Sequence, residues 1–202
     1  MHKVKIYLII LCLFFTGIGF ISCSDDTATT EDYTSLFDGI FASVKSEYTG
    51  NLTLLDNTAV ALKFKITDDN ISGAVSTDVK VSEFPMGNIF YNLYPNDYNH
   101  INVSSEDEYV APLDSVGFLS SSIMNFKTDN SHTSQLNFTF TKDGVKHTGW
   151  VQISTTGIYY SSQGTLQITF TVTDLVVDNE DKSSLCSGTN SISYTTLAEK
   201  VQ

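Results

Sequence analysis

Three patterns of apolar and polar residues follow one another along the chain. Ile6 to Ile21 is almost wholly apolar and follows the positive charges of His2, Lys3 and Lys5, the layout of an export signal. Ser24 to about Glu31 is small, polar and acidic without periodicity, which reads as a tether. Beyond it Tyr33, Leu36, Phe37, Ile40, Phe41 and Val44 recur at three- and four-residue steps. Glu31 and Asp32 stand at the positive end and Lys45 at the negative end, so the spacing predicts one amphipathic helix capped near Thr30.

From Tyr48 onward the period becomes two. Val60, Leu62, Phe64 and Ile66 alternate with Ala59, Ala61, Lys63 and Lys65, and Leu166, Ile168, Phe170 and Val172 alternate with a Thr-rich set. Alternation means one buried and one solvated face, hence antiparallel sheet. Weaker strand patterns lie at Ile71 to Val81, Ile89 to Leu93, Tyr98 to Val103 and Gly117 to Phe126, and Pro95 and Pro112 are read as loop residues. Asp143-Gly144 predicts a tight hairpin. If those two residues form the loop, Phe140 faces His147, Phe138 faces Gly149 and Leu136 faces Val151 on the apolar side. Thr139 then faces Thr148 and Asn137 faces Trp150 on the other, so His147 turns inward and Trp150 outward.

The expected fold is therefore an all-β domain with one N-terminal amphipathic helix. It is read as an antiparallel two-sheet sandwich, with a lipocalin-like β-barrel as the alternative. One domain, residues 32–202, follows a signal at 1–22 and a tether at 23–31.

Charge narrows the function. The 202 residues carry 11 basic side chains, all lysine, against 23 acids, a formal net charge of -12. A chain with no arginine and this acidity has no sequence-independent grip on nucleic acid. Of the three cysteines, Cys12 falls in the signal and Cys23 at its end. Cys186 is left alone, so no intrachain disulfide is expected and the thiol reads as a small buried side chain.

Phe20-Ile21-Ser22-Cys23 resembles the lipobox of bacterial lipoproteins, with Phe20 where Leu is usual. The resemblance implies that Cys23 becomes the acylated first residue of the mature chain. Lys3 and Lys5 then leave with the signal, and the mature domain is more acidic still. Ser24-Asp25-Asp26 resembles the signal that sends Bacteroidota lipoproteins to the outer face of the outer membrane. It implies a lipid-anchored outer-membrane protein at the cell surface, with the periplasmic face as the alternative. Asp26-Thr27-Ala28 and Asp114-Ser115-Val116 resemble the Asp-Ser/Thr-apolar sequon of O-glycosylation in exported Bacteroidota proteins, making Thr27 and Ser115 candidate acceptors. The layout as a whole resembles small Bacteroidota outer-membrane lipoproteins whose domains have no assigned function. Glu47-Tyr48-Thr49-Gly50-Asn51-Leu52-Thr53 resembles the aromatic-x-Gly entry strand of calycin-like barrels, without the usual preceding Gly.

Candidate chemistry is sparse. No Gly-x-Ser-x-Gly elbow or Cys with a neighbouring base is present, so no catalytic residue is assigned and a non-catalytic role is favoured over an enzyme. His100, His132 and His147 lie at no metal-ligand spacing, and no metal or cofactor is expected. The acids Asp68, Asp69, Asp178, Glu180 and Asp181 are read as solvated loop charge. Phe90 to His100 sets Tyr91, Tyr94 and Tyr98 beside asparagine amides. That composition suits stacking on sugar rings, the alternative being that the rings pack inward at a strand–loop–strand corner. Trp150 either packs beneath the helix or stands as a second platform on a hydroxyl-rich sheet. The expected function is a lipid-anchored binding or adhesion module with glycan as ligand, facing a glycan or an outer-membrane protein partner and held to the membrane through Cys23. The alternatives are a barrel-type carrier of a small apolar ligand and an enzyme of another family.

Overall fold

The structure, a computed structural model, describes residues 30–71, 74–98, 101–104, 108–129 and 135–201. The signal, most of the tether, Cys23, Thr27, His100 and His132 lie outside the described residues. The elements in chain order are α1 (Thr30–Val44), β1 (Ser46–Thr53), β2 (Ala59–Ile71), β3 (Ala74–Val81), α2 (Gly87–Leu93), β4 (Asn102–Ser104) and β5 (Tyr109–Ser120). They continue with β6 (Ile123–Thr128), β7 (Gln135–Lys142), β8 (Val145–Tyr160), β9 (Thr165–Val177), β10 (Glu180–Asp181) and β11 (Ser193–Lys200).

The sandwich expectation is corrected. β9 pairs with β8 on one side and with β11 on the other, so a single antiparallel sheet closes into an eight-stranded barrel in the order β1-β2-β3-β5-β6-β8-β9-β11. Period-two alternation states only that one face is buried. A sandwich and a barrel satisfy it equally, and closure removes the open edges that a sandwich would keep. The 16 residues of β8 and the 13 of β9 are long enough to serve the ring and to run past it. A register shift between Gln152 and Ile153 divides β8. Its first half also carries β7, which in turn carries β4, while β10 folds back on the end of β9.

Because every neighbour is antiparallel, the connections sort into two ends. At one end lie α1, the end of β2 with the start of β3, the Ser121-Ser122 turn and the 161–164 turn. At the other lie the β1–β2 turn and the three long connections that contain α2 with β4, β7 and β10.

The barrel interior is filled by side chains. Tyr48 stacks on Phe64 at 5.3 Å between ring centroids, and Phe170 meets Phe64, Phe84 and Tyr109 edge-on at 6.2, 5.6 and 5.9 Å. Tyr48, Tyr109, Leu166, Ile168 and Phe170 are fully buried, and each buried side chain of this size contributes about 1.5–3 kcal/mol. Tyr109 places its hydroxyl 2.6 Å from the Thr155 hydroxyl, and burial pushes its phenol up to about 12. Gly50 and Gly149 are spacing devices. A Cβ on Gly50 would meet Thr196 Oγ1 at 2.5 Å, and one on Gly149 would meet the Phe138 ring at 2.6 Å.

α1 plugs its end of the barrel. Val44 and Ile40 face inward, and Phe37 stacks on Phe118 at 4.4 Å. With no basic residue in its last turn, the helix hands its terminal carbonyls to the barrel. The Tyr48 hydroxyl donates to Val44 O at 2.7 Å, the Tyr159 hydroxyl to Ser43 O at 3.2 Å, and the Lys200 ammonium also donates to Ser43 O. Tyr48, quoted above for its likeness to an entry strand, is thus the residue that joins helix to barrel.

Several local expectations change. Ile89 to Leu93 is helical, Gly117 to Phe126 is a hairpin with its turn at Ser121-Ser122, and among the described residues of the Tyr98 to Val103 segment only Asn102 and Val103 are strand. Pro112 stands in β5, where its pairing with Asp78 is the last described rung to β3 and a missing N–H costs least. Asp68 and Asp69 belong to β2, tied to Lys45 at 2.8 Å and Lys80 at 2.5 Å.

Candidate functional site

The end opposite α1 gathers the chemistry. α2 closes it with buried Ile89 and Phe90, the latter edge-on to Phe138 at 5.7 Å and Phe140 at 4.9 Å. Its asparagines bind the surrounding connections. Leu55 N–H donates to Asn88 Oδ1 at 2.7 Å, and Asn92 Nδ2 donates to Leu185 O at 2.9 Å and Asn190 O at 3.2 Å. The Tyr98 hydroxyl donates to Asp56 Oδ2 at 3.0 Å. Asn92, one of the amides whose composition suits sugar hydroxyls, is therefore a stitch of a lid together with Asn88.

The hairpin at Asp143-Gly144 adopts positive φ at both turn residues, 52° and 77°, and every pairing expected from it is observed. His147 turns inward against Phe140, with ring centroids 4.8 Å apart and nearly parallel. Its Nδ1 lies 2.6 Å from Asp178 Oδ2, while Thr148 N–H donates to the other carboxylate oxygen at 3.1 Å. The His147 contact, followed by the Thr148 N–H, holds the Asp178 carboxyl below the usual carboxylate range. Asp178 occupies a turn with positive φ, so the pair pins the β9–β10 turn onto β8. The run is solvent-exposed, as its sequence suggests, with Glu180 and Asp181 forming the short β10; two of its carboxylates also take backbone N–H groups, Asp178 from Thr148 and Asp181 from Ser183 at 2.8 Å.

Tyr94 completes this cluster. Its ring lies 5.8 Å from Phe140, and Lys142 Nζ sits 5.5 Å from its centroid. Burial, then the negative charge of Asp178, raises the Tyr94 phenol. Lys142 is itself paired with Asp143 at 2.5 Å and Asp97 at 3.5 Å. Tyr91 meets Tyr98 at 5.0 Å. All three tyrosines are half-buried.

Trp150 lies elsewhere. Phe138, Phe140, Val151, Leu175 and Val177 face α2, and the strand alternation puts Trp150 on the reverse side of the same sheet. There it stands half-buried in a row with Asn137 of β7 and Val176 of β9. Exposed Gln135, Thr148 and Asp174 and half-buried Thr139 and Gln152 surround the row, and Gln135 Nε2 donates to Asn137 Oδ1 at 3.2 Å. The structure thus separates the four candidate aromatics: Tyr91, Tyr94 and Tyr98 belong to the lid side, and Trp150 to the outer face. The period-two alternation carries the signal for this split. The lid role of Asn88 and Asn92 has no sequence signal, because their partners are between 33 and 98 residues away.

Ser115 is exposed on β5 beside a register shift at Leu113, not in a loop, and its hydroxyl donates to Asp114 Oδ2 at 3.0 Å. Cys186 is buried and free, and desolvation pushes its thiol up to about 11. Among the described residues no group of three or more His, Cys, Asp or Glu side chains is placed to hold a metal ion, and no helix is long and apolar enough to cross a membrane. Comparisons with protein-family models, curated proteins and solved structures returned no match.

Proposed function

We propose that the chain is a lipid-anchored, non-catalytic binding module of the bacterial outer membrane that takes carbohydrate on the outer face of β7, β8 and β9. The observation that carries this reading is the position of Trp150. A single tryptophan stands on the solvent side of a sheet whose neighbouring positions are amides and hydroxyls. An indole face accepts the C–H side of a pyranose, while Asn137, Thr148 and Gln152 supply donors and acceptors at ring-hydroxyl reach. The outer face of three strands leaves room for an extended chain of sugars.

Two features support this choice over the alternatives. The rings of Tyr48, Phe64, Phe84, Tyr109 and Phe170 occupy the interior where an apolar cargo would sit in a lipocalin-like carrier. The His147–Asp178 pair, which resembles an acid–base dyad, is covered on one ring face by Phe140 and anchors a turn. Cys23 holds the module to the membrane and Ser115 and Thr27 are its O-glycan acceptors, with Ser115 on the side wall clear of the Trp150 face.

The test is a glycan-array screen of the Cys23→Ser chain, repeated with Trp150→Ala. The reading expects retained glycans to weaken about tenfold or more when the indole is removed. It expects little change with Tyr94→Ala, which lies on the other side of the sheet. Binding that survives Trp150→Ala, or an array with no retained glycan, overturns it.

A further inference from the structure

The two ends of the barrel differ in the charge of their turns. At the α2 end the turns carry Asp56, Asp143 and Asp178. At the α1 end Leu119 to Ser122 reads Leu-Ser-Ser-Ser and Ser161 to Gly164 reads Ser-Ser-Gln-Gly, without a charge in either. Asp68 and Asp69, which approach this end along β2, are each matched by a lysine, Lys45 and Lys80. The turns of this end are thus neutral in a chain of net charge -12, its exposed acids Asp38, Glu47 and Glu199 standing on α1, β1 and β11. The turns of the other end carry acids even where, as with Asp143 and Asp178, a basic side chain is paired to them. Apolar side chains project from the same rim: Val75 beside the β2–β3 link is 65% exposed, Leu119 is 64% exposed, Val201 follows β11, and Leu36 lies on α1. Leu55 and Val145, the exposed apolar residues of the other end, each stand next to an acidic turn.

The chain enters at this rim. α1 begins at Thr30, and the seven residues from Cys23 to Thr29 span at most about 25 Å when fully extended. An acyl group on Cys23 therefore keeps the start of α1 within about 25 Å of the lipid, and of the two ends of the barrel the α1 end is the one whose chain leads to the anchor. Charged turns there would be pressed against an interface that penalises them, whereas Leu, Val, Ser and Gln lose little and the aliphatic groups gain on burial.

We infer that the α1 rim, through Leu119, Val75, Val201 and Leu36, rests on the bilayer that holds the anchor, so that the barrel stands on its helix-plugged end and presents the α2 end and Trp150 outward. The inference rests on the anchoring proposed above and adds an orientation to it.

The native tryptophan makes the test direct, because Trp150 lies ten residues up β8 from its α1-end terminus, about 30 Å along the strand. The full chain, acylated in a bacterial host, is reconstituted in vesicles of phosphatidylethanolamine and phosphatidylglycerol with brominated acyl chains. Single-tryptophan forms are compared: the native chain, Leu119→Trp with Trp150→Phe, and Val75→Trp with Trp150→Phe. Both rim probes should lose about half or more of their fluorescence, as expected for side chains seated at the headgroup–acyl boundary, and Trp150 should lose almost none. Vesicle-bound protein with both rim probes unquenched overturns the orientation and leaves the anchor standing. Quenching of Trp150 equal to that of the rim probes overturns it as well. Acylation-competent protein that stays off the vesicles overturns the anchoring reading, and this inference with it.

Discussion

The two ends of the barrel are closed by helices in different ways. At the first end α1 is continuous with β1, 15 residues long, and joined through its own terminal carbonyls to Tyr48, Tyr159 and Lys200. At the second end α2 is seven residues long and interrupts the chain between β3 and β5. It is held by side-chain hydrogen bonds from Asn88 and Asn92 to segments far away in sequence. The first closure uses local chain geometry and short neutral turns. The second collects three long connections and the polar–aromatic cluster around Tyr94 and His147. A rigid, plain end suits attachment, and an end built from long connections is where binding chemistry can vary without disturbing the barrel.

The comparison breaks most easily at Phe90. If α2 is a true wall of the core and not an appended flap, Phe90→Ala removes a ring packed on Phe138 and Phe140 and costs about 3–5 kcal/mol. Urea unfolding followed by far-UV circular dichroism gives the number. A loss below about 1 kcal/mol would mean that the second end is not part of one cooperative core.

The ease of reading this chain follows the same division. Every rung of the Asp143-Gly144 hairpin is legible, because a two-residue turn fixes register and alternation then assigns faces, Trp150 outward included. α1 is legible from its period and its flanking charges. Closure into a barrel is not, because it depends on β9 meeting both β8 and β11, a pairing no local pattern encodes. α2 reads as strand because in a seven-residue element Ile89, Tyr91 and Leu93 fit period two as well as Ile89, Phe90 and Leu93 fit the helical period. The lid role of Asn88 and Asn92 is hidden for a related reason: composition around Tyr91 to Tyr98 suggests a ligand, and the ligands of those amides are this protein's own carbonyls and N–H groups.

A smaller effect separates the two closures at the α1 end. Lys200 donates to Ser43 O and lies 5.2 Å from the centroid of the Tyr159 ring, so Lys200→Met keeps the apolar stem and removes a charge-assisted bond. The expected loss is about 1–2 kcal/mol, since the Tyr159 hydroxyl still reaches the same carbonyl. Native-state hydrogen exchange should show faster exchange in the last turn of α1, with β7 and β8 unchanged. Equal acceleration at both ends would erase the distinction.

The finest test lies on the barrel wall between the ends. Asp78 of β3 is 1% exposed, and neither carboxylate oxygen has a hydrogen-bond partner of ordinary geometry. Burial raises its carboxyl above the ordinary 3.8, and the Ser76 side chain and the Lys80 ammonium offset this only in part. For an acid whose folded value is raised, the native state binds the proton more tightly than the unfolded chain does. The charge then penalises folding as pH rises from the unfolded value through the folded one. Asp78→Asn removes that penalty and keeps the size of the side chain. The variant should match the parent in stability below about pH 4 and exceed it at about pH 7 by about 1 kcal/mol or less, since the amide also lacks partners. Paired urea titrations at the two pH values decide it. A gap that is the same at both values would show that burial imposes no charge penalty on Asp78, and one that favours the parent at neutral pH would show that the carboxylate stabilises the wall.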